Sequence, residues 1–179
     1  MSQANHLASR IVPFYLGREP DSEGRTIEAI WAWDLETLEN IHDYIQWLFP
    51  LAERSAFNLS APLIDQTVIR AFRDNEVLQQ NLRRSLEVML NFYGLRRQES
   101  STGALVVIPS DHYSSRQGVW VSQYNHNYLR ITRILRCLML LGLEDEAQAF
   151  YGCLGQIYRE SSDRVGQETF QYWTSAIGA

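Results

Sequence analysis

The sequence has little cysteine, no long apolar run and no excess of positive charge. Its 179 residues include two cysteines, Cys137 and Cys153, which are sixteen positions apart in apolar surroundings. This spacing fits neither a disulfide framework nor a metal or redox motif, so we expect two reduced, buried thiols. The longest apolar run, at 137–143, is too short to span a bilayer, and the N-terminus lacks a secretory signal pattern. We therefore expect a soluble cytoplasmic protein without a transmembrane segment.

The balance of charge argues against one class of partner. The formal net charge is −5, with 21 acidic and 16 basic residues. A protein that binds the phosphate backbone needs an electropositive surface, because neutralising phosphates supplies most of the affinity. We therefore predict no nucleic-acid partner.

Motifs for cofactors and catalysis are also missing. The sequence has no Gly-rich phosphate loop after a strand and no GxSxG nucleophile motif. Glu39 and His42 form one ExxH pair. A di-iron bundle needs a second ExxH and two further glutamates, and no second copy occurs. We predict no cofactor, no metal and no assigned catalytic residue.

What the sequence does contain is the apolar periodicity of helices. Asp34 precedes a stripe that includes Leu38, Ile41 and Ile45 and ends at Pro50, which predicts one helix of about four turns. Further long helices are predicted at 76–93, 128–141 and 143–161, and shorter ones at 26–33, 65–74 and 166–177. Gly94 and Gly142 follow two of the long helices, where a left-handed residue is favoured.

Residues 95–124 are the least helical part of the sequence. The runs ALVVI at 104–108 and GVWVS at 118–122 are β-like, so either a hairpin between them or a long loop is possible. The fold class predicted is mainly all-α, an irregular multi-helix bundle with a short β-hairpin or long loop at about 95–124. We predict a single domain over 1–179, with residues 1–12 as a flexible or loosely packed tail.

Five blocks of the sequence resemble one family. They are FYLG at 14–17, PDSEG at 20–24, IHDYIQWLFP at 41–50, LEVMLNFYGL at 86–95 and NHNYLRITRILRCLMLLGLE at 125–144. In this order they are similar to the conserved N-terminal region of the opioid growth factor receptor family. The resemblance implies a mostly helical domain that, in the animal receptor, is associated with binding of Met-enkephalin and with the nuclear periphery. The sequence shows no long C-terminal repeat tail, and residues 96–124 match the family less well.

Two of these blocks place polar side chains beside a predicted core face. His42 and Gln46 lie one turn apart on the first long helix, and Trp47 lies roughly opposite its core stripe, where another segment should cover it. On the third long helix, His126, Arg130 and Arg133 follow one stripe. The first turn of a helix favours anions, and the two arginines strengthen this preference.

We predict that these two polar edges face each other and line one cleft. The predicted ligand-binding residues are His42, Gln46, Trp47, His126, Asn127, Arg130 and Arg133, with Tyr128 as an apolar wall. Arginines in such a cleft would bind a carboxylate, including the free C-terminus of a peptide. Alternatively, Arg130 and Arg133 pair with acidic residues of neighbouring helices and are structural.

Two classes of function are therefore open. The first is a non-catalytic module that binds a peptide or a small anionic ligand, and a protein partner is also possible. The second is a small-molecule enzyme that uses His42 or His126 as an acid or base, because histidine titrates near neutral pH.

Overall fold

The computed structural model describes residues 10–54 and 61–178, which form two compact units. Unit 1 takes in the described residues up to Ser85 together with Leu140–Gly142. Unit 2 takes in Leu86–Met139 and the described residues from Leu143 onward. The prediction of a single domain stays a prediction.

Unit 1 is built from short helices and the first part of a long one. They are α1 (residues 10–15), α2 (Ile27–Trp31), α3 (Leu35–Asn40), α4 (Ile45–Leu48), α5 (Gln66–Asp74) and the start of α6 (Glu76–Tyr93). The tail predicted for residues 1–9 lies outside the described residues. Residues 10–12, which were assigned to the same tail, instead begin α1, and Ile11 is fully buried.

Aromatic rings fill the core of unit 1. The Trp47 ring packs edge-on against Phe14, with centroids 5.2 Å apart, and Tyr15 packs in the same way against Phe72 at 4.8 Å. The Tyr15 hydroxyl donates to the backbone carbonyl of Leu48. Trp47 is therefore covered by another segment, as the sequence predicted, because α1 supplies both partners of this cluster.

The single helix predicted from Asp34 to Pro50 is wrong, because the chain breaks between α3 and α4. Asp34 caps α3 as predicted, its side chain accepting the Thr37 N–H at 2.8 Å. The helix then ends at Asn40, and Ile41 is extended, with φ −92° and ψ 134°. Ile41 is consequently only half-buried, whereas Leu38 and Ile45 are buried as predicted.

Side chains near the break supply the hydrogen bonds that a continuous helix would have made. The buried Tyr44 hydroxyl donates to the carbonyl of Leu38 at 3.0 Å. The Gln46 amide, in the orientation that satisfies its nitrogen, donates to the carbonyls of His42 at 3.3 Å and Asp43 at 3.0 Å. The break is stable because buried carbonyl groups need such partners.

Unit 2 contains a hairpin and the remaining helices. Its elements are the end of α6, β1 (Leu95–Glu99), β2 (Leu105–Pro109), α7 (Tyr113–Trp120), α8 (Asn127–Leu141) as far as Met139, α9 (Glu144–Glu160), α10 (Ser162–Val165) and α11 (Gln167–Ile177). Gly94 at φ 76° and Gly142 at φ 91° follow α6 and α8 in the predicted left-handed conformation. The described residues are mostly helical with one two-stranded sheet, which confirms the mainly all-α class.

The hairpin lies where it was predicted but has a different partner strand. The ALVVI run forms most of β2, which pairs antiparallel with β1 from Leu95↔Pro109 to Glu99↔Leu105. The second predicted strand, GVWVS, is wrong, because residues 118–120 belong to α7. A helix there buries Trp120 completely and lets its indole N–H donate to the Tyr93 carbonyl at 3.0 Å.

The core of unit 2 contains the apolar face of α8 and several aromatic pairs. Leu86 on α6 and Ile134 and Leu138 on α8 are fully buried. Tyr93 packs edge-on against Trp120 with centroids 5.2 Å apart. Helix α11 contributes Trp173, whose indole N–H donates to the carbonyl of Tyr128 at 3.3 Å. In the part of the chain that the structure describes, no helix is long and apolar enough to cross a membrane.

Candidate functional site

The predicted site residues of unit 1 differ in exposure. His42 is exposed in the segment between α3 and α4. Gln46 and Trp47 are buried, the former against the backbone of His42 and Asp43 and the latter beneath Phe14. The guanidinium of Arg10 lies 5.7 Å from the centroid of the Trp47 ring. Gln46 and Trp47 therefore hold the core of this unit together.

The predicted residues of unit 2 lie along the start of α8. Asn127 and Arg130 are buried and bonded to each other, Nη1 of Arg130 donating to Oδ1 of Asn127 at 3.2 Å. His126 is exposed and Arg133 is half-buried. Burial lowers the pKa of Arg133, and the nearby charge of Arg136 acts in the same direction. The guanidinium of Arg133 on α8 is therefore only partly exposed to solvent.

The two predicted polar edges belong to different units of the structure. His42, Gln46 and Trp47 belong to unit 1, whereas His126, Asn127, Arg130 and Arg133 belong to unit 2. The cleft that would join the two edges stays a prediction.

A groove in unit 2 was not predicted from the sequence. It lies between β2 and α9 and has a volume of about 790 Å³. One wall is formed by residues 103–108 and the other by Asp145, Gln148, Ala149, Gly152, Cys153 and Gln156. A volume of this order is typical of a ligand site.

Four consecutive residues of β2, from Leu105 to Ile108, line this groove. The Ser110 N–H donates to the Gly94 carbonyl at 2.8 Å, and the Ser100 N–H donates to the Ala104 carbonyl at 2.8 Å. Hydrogen-bonded and non-bonded pairs alternate along an antiparallel ladder. With the register of this hairpin, Leu105 and Val107 are therefore non-bonded positions, and their N–H and C=O groups point away from β1.

The side chains of the groove favour binding over covalent chemistry. Asp145 is the only charged residue among those that line it, and Ala149 and Gly152 leave room above α9. Burial raises the pKa of the Cys153 thiol to about 12, so the thiol is protonated at neutral pH. Because the thiolate is the reactive form, Cys153 is a poor nucleophile.

A second, smaller pocket of about 330 Å³ lies beside β1. Arg97 is one of its lining residues and is paired with acids, reaching Glu87 at 3.3 Å and Glu146 at 3.6 Å. Its charge is thus largely neutralised within unit 2. Among the described residues, no group of three or more His, Cys, Asp or Glu side chains is placed to hold a metal ion.

Comparison with known proteins identifies the family. The model of the opioid growth factor receptor conserved region matches residues 9–178. This chain belongs to the opioid growth factor receptor family. The match confirms the resemblance predicted from the five sequence blocks, and it includes residues 96–124, which resembled the family less well.

Several curated members of the opioid growth factor receptor family are similar to this chain. It is 41% identical over 116 residues to the opioid growth factor receptor of Homo sapiens, covering 64% of this chain and 16% of that protein. It is 39% identical over 114 residues to the receptor of Mus musculus, covering 64% and 17%. It is 34% identical over 136 residues to opioid growth factor receptor-like protein 1 of Xenopus tropicalis, covering 74% and 26%.

The aligned part of this chain thus spans about a sixth of the length of the two receptors and about a quarter of the receptor-like protein. No solved structure matches the chain.

Proposed function

We propose that this chain is a non-catalytic binding module whose ligand is a peptide. The groove between β2 and α9 carries this proposal, because it combines a volume of about 790 Å³ with a backbone edge whose outward donors and acceptors take no part in the hairpin ladder. The curated relatives that are named receptors support the same class of function. The lining side chains provide no activated nucleophile, since the Cys153 thiol is protonated at neutral pH.

The start of α8 is a second proposed contact, for a carboxylate of a peptide or small anionic ligand. Its support is the half-buried side chain of Arg133 on α8 and the exposed His126 just before the helix. A charge that is partly removed from water interacts more strongly with an incoming anion than a fully solvated charge does. Buried Arg130 and Asn127 would then hold this end of α8 in place through their mutual hydrogen bond. The alternative of an enzyme with His42 or His126 as acid or base stays a prediction, since neither residue lines the groove.

The proposal is tested by screening the full chain against a displayed library of pentapeptides that includes Met-enkephalin, with binding measured by calorimetry. We expect at least one peptide to bind at micromolar concentration. The proposed function would be overturned if no member bound at millimolar concentration to protein shown by circular dichroism to be folded.

The contact at α8 is tested with Arg133→Gln and a peptide that has a free C-terminus. Losing one charged hydrogen bond should weaken binding about ten- to a hundredfold. The C-terminal amide of the same peptide should bind both proteins equally. Arg70→Gln, which removes an exposed charge from α5, is the matched control and should bind both peptides as the unmodified chain does.

A further inference from the structure

The edge of β2 that points away from β1 has no third strand beside it among the described residues. The sheet of the described residues has two strands, so nothing in it pairs with the outward groups of Leu105 and Val107. An unpaired strand edge is a template for another extended chain. Edges are commonly protected by proline, and Pro109 closes this one at its C-terminal end because it has no N–H to donate.

The position of Val107 makes this edge unusual. Its exposed fraction is 4%, although its outward N–H and C=O take no part in the hairpin ladder. Buried backbone groups are almost always paired with protein, side chain or water. Leu105 and Val107 both line the groove, so an extended chain lying in it would be placed to pair with these groups.

We propose that the groove binds an extended peptide that pairs with the outer edge of β2 as a third strand. This inference rests on the proposed peptide-binding function and names the site and mode of that binding. Strand addition gains affinity from backbone hydrogen bonds, and pockets beside the edge select alternate side chains. The peptide lies along α9, where Ala149 and Gly152 give it room.

The dimensions of the edge limit the length of the bound segment. Five residues of β2 span about 17 Å at about 3.3 Å per residue. Pro109 has no N–H, so it cannot donate a hydrogen bond to an added strand. Only Leu105 and Val107 offer both a donor and an acceptor outward. The segment that pairs with them is therefore about four to six residues long.

Charge selects the kind of peptide. Asp145 is the only charged side chain that lines the groove, and it is exposed. A peptide with a free amino terminus or a basic residue complements this carboxylate, whereas an acidic peptide is repelled. The occupant is thus a short extended peptide that carries a positive charge.

The first test is an N-methyl scan of the tightest-binding pentapeptide from the library. Methylation removes a single backbone N–H, and every second N–H of an added strand points toward β2. Methylation at these alternate positions should weaken binding about three- to tenfold each, and methylation between them should have little effect. Losses without this alternation would overturn strand addition.

The second test changes the edge itself. Leu105→Pro removes an N–H that the hairpin does not use, and it should weaken peptide binding about tenfold. Glu99→Pro is the matched control, because Glu99 is the Cα partner of Leu105 and its N–H points to the opposite edge of the sheet. It should leave binding unchanged. Equal effects of the two prolines would contradict the proposal.

A third test avoids any disturbance of the hairpin. Gly152 is an exposed helical residue, and a Cβ built there meets nothing within 4 Å. Gly152→Leu should therefore raise the thermal midpoint, because leucine is the better helix former, and should reduce peptide binding by at least about tenfold by filling the groove. Gly118→Leu on α7, also in open space, should be neutral for binding.

The charge is tested with Asp145→Asn. This change should weaken binding of the free-amine peptide about two- to fivefold and should not affect its N-acetylated form. Suppose that a peptide binds with the expected affinity and that Leu105→Pro, Gly152→Leu and Asp145→Asn leave this affinity unchanged. This result would contradict binding in the groove but would be consistent with the proposed peptide-binding function. Absence of binding by any library peptide would instead overturn the proposed function.

Discussion

At the scale of single residues, Asp21 makes a buried, multiply hydrogen-bonded polar contact in unit 1. Its exposed fraction is 2%, and one carboxylate oxygen accepts the N–H groups of Glu23 and Arg25, each at 2.9 Å. The other oxygen accepts from Nε of Arg25 at 2.6 Å, and Arg25 also reaches Asp43 at 2.8 Å. Asp21 of the PDSEG block is thus one half of a largely buried charge pair with Arg25.

We predict that Asp21→Ala lowers the free energy of unfolding by about 3 to 5 kcal/mol, because it leaves a partly buried guanidinium without its main partner. Asp43→Ala removes the exposed partner of the same arginine, and it should cost less than about 1 kcal/mol. Urea unfolding followed by circular dichroism measures both changes. Similar losses for the two variants would show that burial does not distinguish these carboxylates.

The two cysteines are free and buried, as the sequence predicted. Burial raises the pKa of both thiols, that of Cys153 to about 12. In the unfolded chain a thiol titrates near 8.5. The stabilising effect of the protonated thiols is therefore complete below about pH 8.5 and is lost as the pH rises toward the folded pKa.

We predict that the free energy of unfolding falls by about 1 to 3 kcal/mol between pH 8.5 and 9.5, because each buried thiol contributes up to about 1.4 kcal/mol per pH unit. This window lies below the ordinary pKa of tyrosine. Urea titrations in the presence of a non-thiol reductant measure the slope. In the double variant Cys137→Ala and Cys153→Ala, the free energy of unfolding should depend clearly less on pH. If its slope with pH is unchanged, groups other than these thiols cause the pH dependence.

At the scale of elements, the sequence predicted the long helices better than the segments between them. Helices α6, α8 and α9 have continuous apolar stripes and, for two of them, a closing glycine, so local signals suffice. The break before α4 depends on Tyr44 and Gln46 bonding to carbonyls of the same segment, and periodicity does not detect such competition. Strand β1, LRRQE, has no β-like composition and is specified by its pairing with β2.

The candidate site could be predicted only in part for a similar reason. Polar stripes on helices are visible in a sequence, and in the structure His126 is exposed just before α8 while Arg133 is half-buried on it. The same reasoning did not anticipate that Gln46 and Arg130 would be buried, because burial depends on which elements pack nearby. The β2 edge consists of backbone groups, which have no residue signature at all.

A variant of Gln46 can test whether this residue has a structural role or contacts the ligand. We predict that Gln46→Met, which keeps the volume but loses the amide, lowers the free energy of unfolding by about 1 to 3 kcal/mol by leaving carbonyls unsatisfied in the break. Peptide affinity should not change in the folded variant. Normal stability combined with weaker ligand binding would restore Gln46 to the predicted site. Thermal unfolding and calorimetry on the same protein provide the two measurements.

At the scale of the whole molecule, the open question is whether the two units unfold together. Helix α6 begins in unit 1 and continues past Ser85 into unit 2, and α8 begins in unit 2 and ends with residues of unit 1. A helix propagates cooperatively along its length. Melting either unit therefore disrupts helices that both units use, which favours the single cooperative domain predicted from the sequence.

We predict one unfolding transition. The two buried cysteines provide a way to follow it, because their thiols react only when they become exposed. Cys137 and Cys153 both belong to unit 2, so the reactivity of their thiols reports on that unit, whereas Asp21→Ala destabilises unit 1. If the domain is cooperative, this variant shifts the urea midpoint of thiol exposure by the same amount as the midpoint of circular dichroism. If the units unfold independently, thiol exposure keeps its original midpoint while circular dichroism shows two steps. Asp43→Ala, with its small expected effect, should move neither curve appreciably and serves as the control.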